Sequence, residues 1–162
     1  APSWGGTNPD LPVRGVDWCD AVAFCTWAGK RLCGHIDGGA LAPNLRNNAF
    51  ADAWFHACSA GGTRKFPYGD VYDRTACNLR DRDAGSHLPV GTQPGCEGGF
   101  PGVFDMVGNL WEWQDSCGSG EADASCALRG LSYAVDAPGN CTQTRLAERS
   151  NRSDVTFRCC SD

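Results

Sequence analysis

Residues 102–113 read Gly102-Val-Phe-Asp-Met-Val-Gly-Asn-Leu-Trp-Glu-Trp113, and this stretch decides how the chain is interpreted. Its Gly108-Asn109 dipeptide predicts a tight turn, because both residues tolerate a positive φ. Such a turn lets Asp105, Glu112 and the backbone carbonyls between them converge on one point, an arrangement of oxygens that calcium prefers. The alternative is a turn whose acids are solvated and whose tryptophans fill a core.

Length and charge restrict the class of protein. At 162 residues the chain is expected to form one domain, residues 1–162, that is long enough to bury a core. The formal net charge is -5 and no basic run is present, so we expect no nucleic-acid partner. No apolar stretch approaches the length that crosses a bilayer, so we expect no membrane span.

The chain has 11 cysteines and no Cys-x-x-Cys pair, so a zinc site is poorly supported. Disulfides in a secreted, periplasmic or cell-surface protein are the better interpretation. Because the number is odd, at least one thiol is free or pairs outside the chain. Cys117 and Cys126 flank a short loop that a bridge closes easily. Cys77 and Cys96 are a further candidate pair.

Hydrophobic spacing predicts two helices. The first covers residues 16–28, with Asp17 or Asp20 near its start and Gly29 as its C-cap. The second runs from about residue 47 to 58, with one side formed by Phe50, Trp54, Phe55 and Cys58. Glycine and proline then interrupt the chain every few residues, which favours short strands joined by long loops. Such loops need disulfides or bound ions to hold them.

The stretch at 102–113 resembles the signature of the formylglycine-generating enzyme family, also called the sulfatase-modifying factor domain. Further motifs resemble those of the family in the same order: residues 16–32, Phe66-Pro-Tyr-Gly69 with Cys77-Asn78, Leu88-Pro-Val-Gly91, Leu128-Arg-Gly-Leu-Ser-Tyr133 and Thr156-Phe-Arg-Cys159. The resemblance implies an α+β fold related to C-type lectins, disulfide-rich and poor in regular secondary structure. Two helices are expected to pack on a small, kinked antiparallel sheet.

The resemblance also implies a disulfide from the first helix to the last strand, here Cys25 to Cys159. A second family bridge starts at the position of Cys58, but its partner position holds Leu146 in this chain. Cys58 therefore needs another partner, and the candidates are Cys33, Cys141 and Cys160. Cys19 is a further candidate to pair with Cys160, beside the first bridge.

Enzymes of the family use two cysteines that hold copper(I) to oxidise a cysteine of a sulfatase peptide to formylglycine. The second of these positions falls on Cys141, and the first falls on Val135 or Asp136. Neither residue replaces a thiolate for copper(I), so copper is not expected and Cys141 is expected in a disulfide. Cys141 is catalytic only if a cysteine distant in sequence restores the pair.

The family binds two structural calcium ions, and the resemblance implies ligands for both. The first site corresponds to Asp105, Val107, Asn109, Leu110 and Glu112, with the non-acidic residues contributing mostly backbone oxygens. The second corresponds to Asn78, Leu79 and either Asp81 or Asp83, of which Asp83 is the preferred candidate. A solvated loop is the alternative for these last two acids.

Two classes of function remain. The first is an extracytoplasmic binding or structural module whose loops, on a rigid scaffold, contact a protein, peptide or glycan. Candidates for exposed aromatic side chains are Trp4, Trp18, Trp27, Tyr68, Tyr72 and Tyr133. The second is the copper-dependent oxidase. His35, His56 and His87 lie in unrelated contexts, so no other enzyme class gains support.

Overall fold

A computed structural model describes residues 8–118, 124–151 and 154–161. Two helices and six strands follow in chain order: α1 Trp18–Trp27, β1 Arg31–Leu32, α2 Ala53–Cys58, β2 Trp111–Cys117, β3 Ser125–Arg129, β4 Thr144–Glu148, β5 Val155–Phe157 and β6 Cys159–Cys160. Between α2 and β2 the chain forms loops with two 3-10 turns, Arg80–Arg82 and Pro94–Cys96. The predicted α+β class with little regular structure is confirmed.

Helix α1 follows its predicted boundaries within two residues. The Asp17 carboxylate accepts the N–H of Asp20 at 2.8 Å, and the Asp20 carboxylate accepts the N–H of Asp17 at 3.3 Å. This reciprocal cap satisfies two of the free N–H groups at the helix start. Gly29 follows the helix with φ 70°, which a glycine adopts without steric cost.

Helix α2 is shorter than predicted, and its expected start near residue 47 is wrong. Asp52 caps the helix by accepting the N–H of Phe55 at 3.0 Å, so the helix begins at Ala53. Phe50 lies before this cap and is 87% exposed, so it is not on the buried side of the helix. The buried side chains of α2 are Trp54 and Cys58.

The main sheet has the order β4-β3-β2-β5. Strand β3 is antiparallel to both β2 and β4, but β5 runs parallel to β2, with Glu112 opposite Thr156. The expected all-antiparallel sheet therefore needs this correction. Strands β1 and β6 form a separate antiparallel pair. Trp54 of α2 and Trp113 of β2 are fully buried in one core with Leu128 and Val155.

Two motifs that resemble family strands are not strands over their full length. Leu88-Pro-Val-Gly91 is a loop. The motif beginning at Leu128 is strand only to Arg129, because Gly130 and Leu131 then turn the chain with φ 84° and 68°. These two motifs therefore form loops over most of their length.

Five disulfides join the described elements: Cys25–Cys159, Cys33–Cys160, Cys58–Cys141, Cys77–Cys96 and Cys117–Cys126. Cys58 thus takes one of its three candidate partners. The suggested Cys19–Cys160 pair is wrong, because Cys160 is bonded to Cys33. Cys19 is the odd thiol and is exposed. In the described residues, no helix has the length and apolar character needed to cross a membrane.

A buried arginine connects β3 to the loop that carries Cys141. The Arg129 guanidinium lies over the Trp54 ring, 4.7 Å from its centroid, and 3.8 Å from Asp52. It donates to Thr144 Oγ1, Asn47 Oδ1 and the Cys141 carbonyl oxygen at 2.8 to 3.0 Å. Burial lowers the pKa of Arg129 to about 10, although Asp52 opposes the shift. These bonds fix the Cys141 loop against α2.

Candidate functional site

The predicted Gly108-Asn109 turn is confirmed, with φ 79° and 62° at the two residues. The Gly108 N–H donates to the Gly130 carbonyl at 2.7 Å, and the Asn109 N–H donates to the Asn78 carbonyl at 2.8 Å. A Cβ at position 108 would lie 2.5 Å from that Asn78 oxygen, so only glycine fits. The turn therefore sits at the meeting point of three loops.

The Asn109 side chain forms hydrogen bonds to the loops that contain Asn78 and Leu88. Its Oδ1 accepts the Leu88 N–H at 2.8 Å and an Asn78 Nδ2 hydrogen at 3.2 Å. Its Nδ2 donates to the Leu88 carbonyl at 3.1 Å. A bound ion would reach this amide oxygen only by displacing one of those donors.

Glu112, which is 4% exposed, forms an ion pair with Arg158. Glu112 Oε1 accepts from Arg158 Nη2, and Oε2 accepts from Arg158 Nε at 2.5 Å and from Trp54 Nε1 at 2.7 Å. Burial alone would lower the pKa of Arg158, but attraction to Glu112, the hydrogen bond and nearby Asp105 raise it above its usual value. Both oxygens of Glu112 are thus already used.

A pocket of about 360 Å³ lies beside this ion pair. Four of the five residues predicted for the first calcium site line it: Asp105, Asn109, Leu110 and Glu112. Val107 does not, and its carbonyl oxygen lies 3.3 Å from Cys96 Sγ. Asp105 has φ 59°, and its Oδ2 accepts the Gly91 N–H at 2.8 Å. Burial raises the pKa of the Asp105 carboxyl.

Asp105 and Glu112 line one pocket, as the predicted turn at Gly108-Asn109 implied. Their surroundings differ from those of a calcium site whose carboxylates are free to bind the ion. Calcium takes six to eight oxygen ligands. Here Glu112 is already balanced by the Arg158 guanidinium, which would repel a cation and which also attracts Asp105. Calcium at this loop stays a prediction, and the Glu112–Arg158 pair weighs against it.

The second predicted loop offers a different donor set. Asn78 is buried and its Nδ2 donates to the Ser86 carbonyl at 2.9 Å, while its Oδ1 has no hydrogen-bond partner. Asp81 Oδ2 accepts the Tyr72 hydroxyl, and its buried Oδ1 also has no partner. Burial, together with this bond to Asp81, raises the pKa of the Tyr72 phenol. Unpaired buried acceptors are rare in native proteins and call for a partner such as an ion or water.

Of the two alternative acids in this loop, the structure brings Asp81 inward. Asp83 ends the 3-10 turn with φ 62° and is exposed. Leu79 is buried, 3% exposed. Asn78 and Asp81 thus each present one buried oxygen without a hydrogen-bond partner, the type of ligand that a hard cation takes, whereas Asp83 is exposed.

The position that resembles a copper ligand is closed by a disulfide. Cys141 is fully buried and bonded to Cys58. Val135 and Asp136 offer no sulfur ligand at the other position. While this disulfide is closed, Cys141 offers no thiolate to copper(I), which needs two free thiolates. Cys58 is the cysteine, distant in sequence, that lies beside Cys141.

The aromatic candidates have different surroundings. Trp27 is 81% exposed, and the Arg149 guanidinium covers the Trp18 ring. The Tyr68 and Tyr72 rings pack on Phe66, and Tyr133 lies beside His87. Trp4 lies outside the described residues. Sequence reasoning missed Arg158 as a partner of Glu112, although the Thr156-Phe-Arg-Cys159 motif contains it.

Two curated proteins are similar to this chain over nearly its whole length. The formylglycine-generating enzyme of Bos taurus is 29% identical over 187 residues, which cover 96% of this chain and 45% of that protein. The inactive C-alpha-formylglycine-generating enzyme 2 of Bos taurus is 29% identical over 175 residues, covering 94% of this chain and 50% of that protein. The chain thus spans about half the length of these relatives.

The crystal structure of CarF has the same fold, with a TM-score of 0.66 and 20% identity over 98% of this chain and 72% of that one. The sequence profile of the sulfatase-modifying factor enzyme 1-like domain matches residues 5–162. This chain therefore belongs to the sulfatase-modifying factor enzyme 1-like family.

Proposed function

We propose that the domain is a non-catalytic binding or structural module. The observation that carries the proposal is the Cys58–Cys141 disulfide, which consumes the one cysteine that matches a copper-binding position. The Cys141 side chain has no exposed surface, and Arg129 donates a hydrogen bond to the Cys141 carbonyl oxygen. A module of this kind presents its loops to a protein, peptide or glycan on a scaffold fixed by five disulfides.

We place this module outside the cytoplasm. Ten of the 11 cysteines are paired in the structure, and such density is typical of proteins that fold in an oxidising compartment. Secretion, a periplasmic location and display at the cell surface all satisfy this requirement. Thiol titration of the protein purified from its native compartment tests the proposal: one reactive thiol supports it, and several free thiols contradict it.

The second candidate function is the copper-dependent oxidase, which the likeness to active relatives favours. It would require reduction of the Cys58–Cys141 bridge, which would release two adjacent thiolates, because Cys58 is distant in sequence but bonded to Cys141. The test is incubation with copper(I), oxygen and a peptide containing Cys-x-Pro-x-Arg, followed by mass spectrometry for the aldehyde. A non-catalytic function predicts no aldehyde. Aldehyde formation that Cys141→Ser abolishes and Cys19→Ser preserves would establish the oxidase.

We further propose that a calcium ion stabilises the loop containing Asn78 and Asp81. The support is the pair of buried oxygens, Asn78 Oδ1 and Asp81 Oδ1, that lack hydrogen-bond partners. Calcium would supply a positive charge to both, and backbone oxygens of the loop would complete its coordination. Its role there is structural, because it would hold a long segment that lacks helices and strands.

A further inference from the structure

Strand β4, Thr144–Glu148, lies at one end of the main sheet, with β3 on one side. No other strand of the described residues pairs with its second side. An edge strand presents a row of N–H and C=O groups that can pair with a strand of another chain. The register of the sheet shows which residues of β4 face this open edge.

The backbone of β3 identifies the outward-facing residues of β4. The Ser125 carbonyl accepts the Gly118 N–H at 2.9 Å, so Ser125 directs its backbone groups toward the side of β2. Ser125 lies opposite Glu148, and the β3–β4 register continues without a bulge. Hydrogen-bonded and non-hydrogen-bonded pairs alternate along an antiparallel ladder. Glu148, Leu146 and Thr144 therefore direct their N–H and C=O groups away from β3.

The middle of this edge is accessible. The Glu148 carbonyl accepts the Asn151 N–H at 2.9 Å, but no backbone hydrogen bond among the described residues reaches Leu146 from outside β3. The Leu146 residue is 55% exposed. Charged side chains often protect such edges. Here the Arg145 guanidinium lies over the Trp111 ring of β2, 5.5 Å from its centroid, and so extends back across its own sheet.

The sequence of β4 is complementary to itself in one antiparallel register. Outward-facing residues must pair with each other, so two copies can be centred on Arg145, Leu146 or Ala147. Centring on Arg145 places two guanidiniums opposite each other, which destabilises the pair. Centring on Ala147 places Leu146 opposite Glu148. Centring on Leu146 places the two leucines opposite each other and Thr144 opposite Glu148. Arg145 then faces Ala147, and no like charges lie directly opposite.

We propose that two copies of this chain associate through antiparallel β4 strands, with a two-fold axis at Leu146. The two Leu146 residues exchange both backbone hydrogen bonds, and each Glu148 N–H donates to the Thr144 carbonyl of the other copy. The two four-stranded sheets become one continuous sheet. Because the same surface is used on both copies, the contact closes and the assembly stops at a dimer. This inference goes beyond the function proposed above and does not depend on it.

The dimer is expected to be weak and reversible. Each copy contributes the five residues of β4 to the ladder, whereas standard interfaces use about 20–30 residues a side. Sedimentation velocity over a range of protein concentrations measures the dissociation constant. The oxidised full chain is used with Cys19→Ser, because the exposed Cys19 thiol would otherwise link two chains covalently.

The first variant is Leu146→Pro. Proline lacks an N–H and is tolerated in an edge strand where that N–H faces solvent. The variant should therefore fold as a monomer, which circular dichroism checks, and its dimer dissociation constant should rise at least about tenfold. Phe50→Ser is the matched control. It removes another exposed apolar side chain, 87% exposed, from the segment before α2, and should leave the dissociation constant unchanged.

A second pair of variants tests the register. With Leu146 on the axis, position 147 faces Arg145 of the other copy. Ala147→Glu should therefore tighten the dimer about fivefold, and Ala147→Lys should weaken it about fivefold. Centring on Ala147 would instead bring like charges together in both variants, and both would weaken the dimer. Hydrogen exchange should slow with protein concentration at the Leu146 and Glu148 amides, which face the edge.

Three results would overturn the proposal. The first is a single monomeric species at a protein concentration of about 1 mM, where even weak specific association is visible. The second is an unchanged dissociation constant for folded Leu146→Pro. The third is weakening of the dimer by Ala147→Glu. A dimer that Phe50→Ser abolishes and Leu146→Pro preserves would place the contact on the surface around Phe50 and would also overturn the assignment to β4.

Discussion

Trp54 Nε1 donates a 2.7 Å hydrogen bond to Glu112 Oε2, and this bond joins α2 to β2 across 58 positions of sequence. Both side chains are buried. Arg158, between β5 and β6, binds the same carboxylate. One acid thus connects the second helix, the central strand and the end of the sheet.

Replacing Glu112 by glutamine should destabilise the domain by about 2–3 kcal/mol. The change leaves the Arg158 guanidinium without its counter-charge, and partial exposure of Arg158 keeps the loss below that of a fully buried pair. Urea unfolding with the disulfides intact measures it. Glu148→Gln on exposed β4 is the control and should change stability by less than about 0.5 kcal/mol. Equal losses in both variants would contradict the role given to the ion pair.

Calcium should raise the melting temperature through the loop of Asn78 and Asp81. An ion that binds only the folded state at 100 times its dissociation constant adds about 2.7 kcal/mol. Melting curves with calcium and with a chelator measure the effect. Asp81→Asn should abolish it, and Asp83→Asn should preserve it because Asp83 is exposed. If Asp105→Asn alone abolishes the effect, the ion binds at the Gly108-Asn109 turn instead.

Removing Cys25–Cys159 alone should cost much less than removing it together with Cys33–Cys160. The bridges have sequence separations of 134 and 127, so either one closes nearly the same loop of the unfolded chain. Loss of both should cost about 4–5 kcal/mol in the chain-entropy model. Denaturant curves of the two double-alanine variants and the quadruple variant decide this. Additive losses would show that the bridges act independently.

Asp115→Asn should stabilise the domain at neutral pH. Burial raises the pKa of Asp115, although Arg149 and Arg31 oppose the shift. A raised pKa means that the folded state binds more protons, so this group favours folding at low pH and that contribution disappears as pH rises through the folded-state pKa. The melting temperatures of variant and parent should therefore converge near pH 3.8 and below, the value for the unfolded chain. Asp136→Asn, at an exposed site, is the control and should change stability by less than about 0.5 kcal/mol.

Local features of the fold were predictable because their causes are local. The reciprocal cap of Asp17 and Asp20 and the positive φ at Gly108-Asn109 need only neighbouring residues. The start of α2 was not predictable, because the apolar spacing continues upstream to Phe50 while the Asp52 cap sets the boundary. Apolar residues spaced three and four apart predict a helix on either side of a cap. The spacing alone therefore does not locate the start of the helix.

The candidate site was predictable in part for a related reason. The turn at Gly108 identified Asp105 and Glu112 as neighbours, and the pocket places both on its walls. The partner of Glu112 depends on β5 lying parallel to β2, which positions Arg158 beside it. No spacing within the sequence encodes that pairing, so the balance of charge around Glu112 required the structure.

The adjacent cysteines of β6 have a mechanical consequence. Cys159 is bonded to Cys25 of α1, and Cys160 is bonded to Cys33, the residue after β1. The chain between them therefore forms a covalent ring that two disulfides close. A pulling force applied between the segment of Cys25 and Cys33 and the segment of Cys159 and Cys160 would be borne by the two disulfides. The strand pairs inside the ring would not bear it. A single backbone scission within it, between Cys33 and Cys159, would leave both fragments tethered.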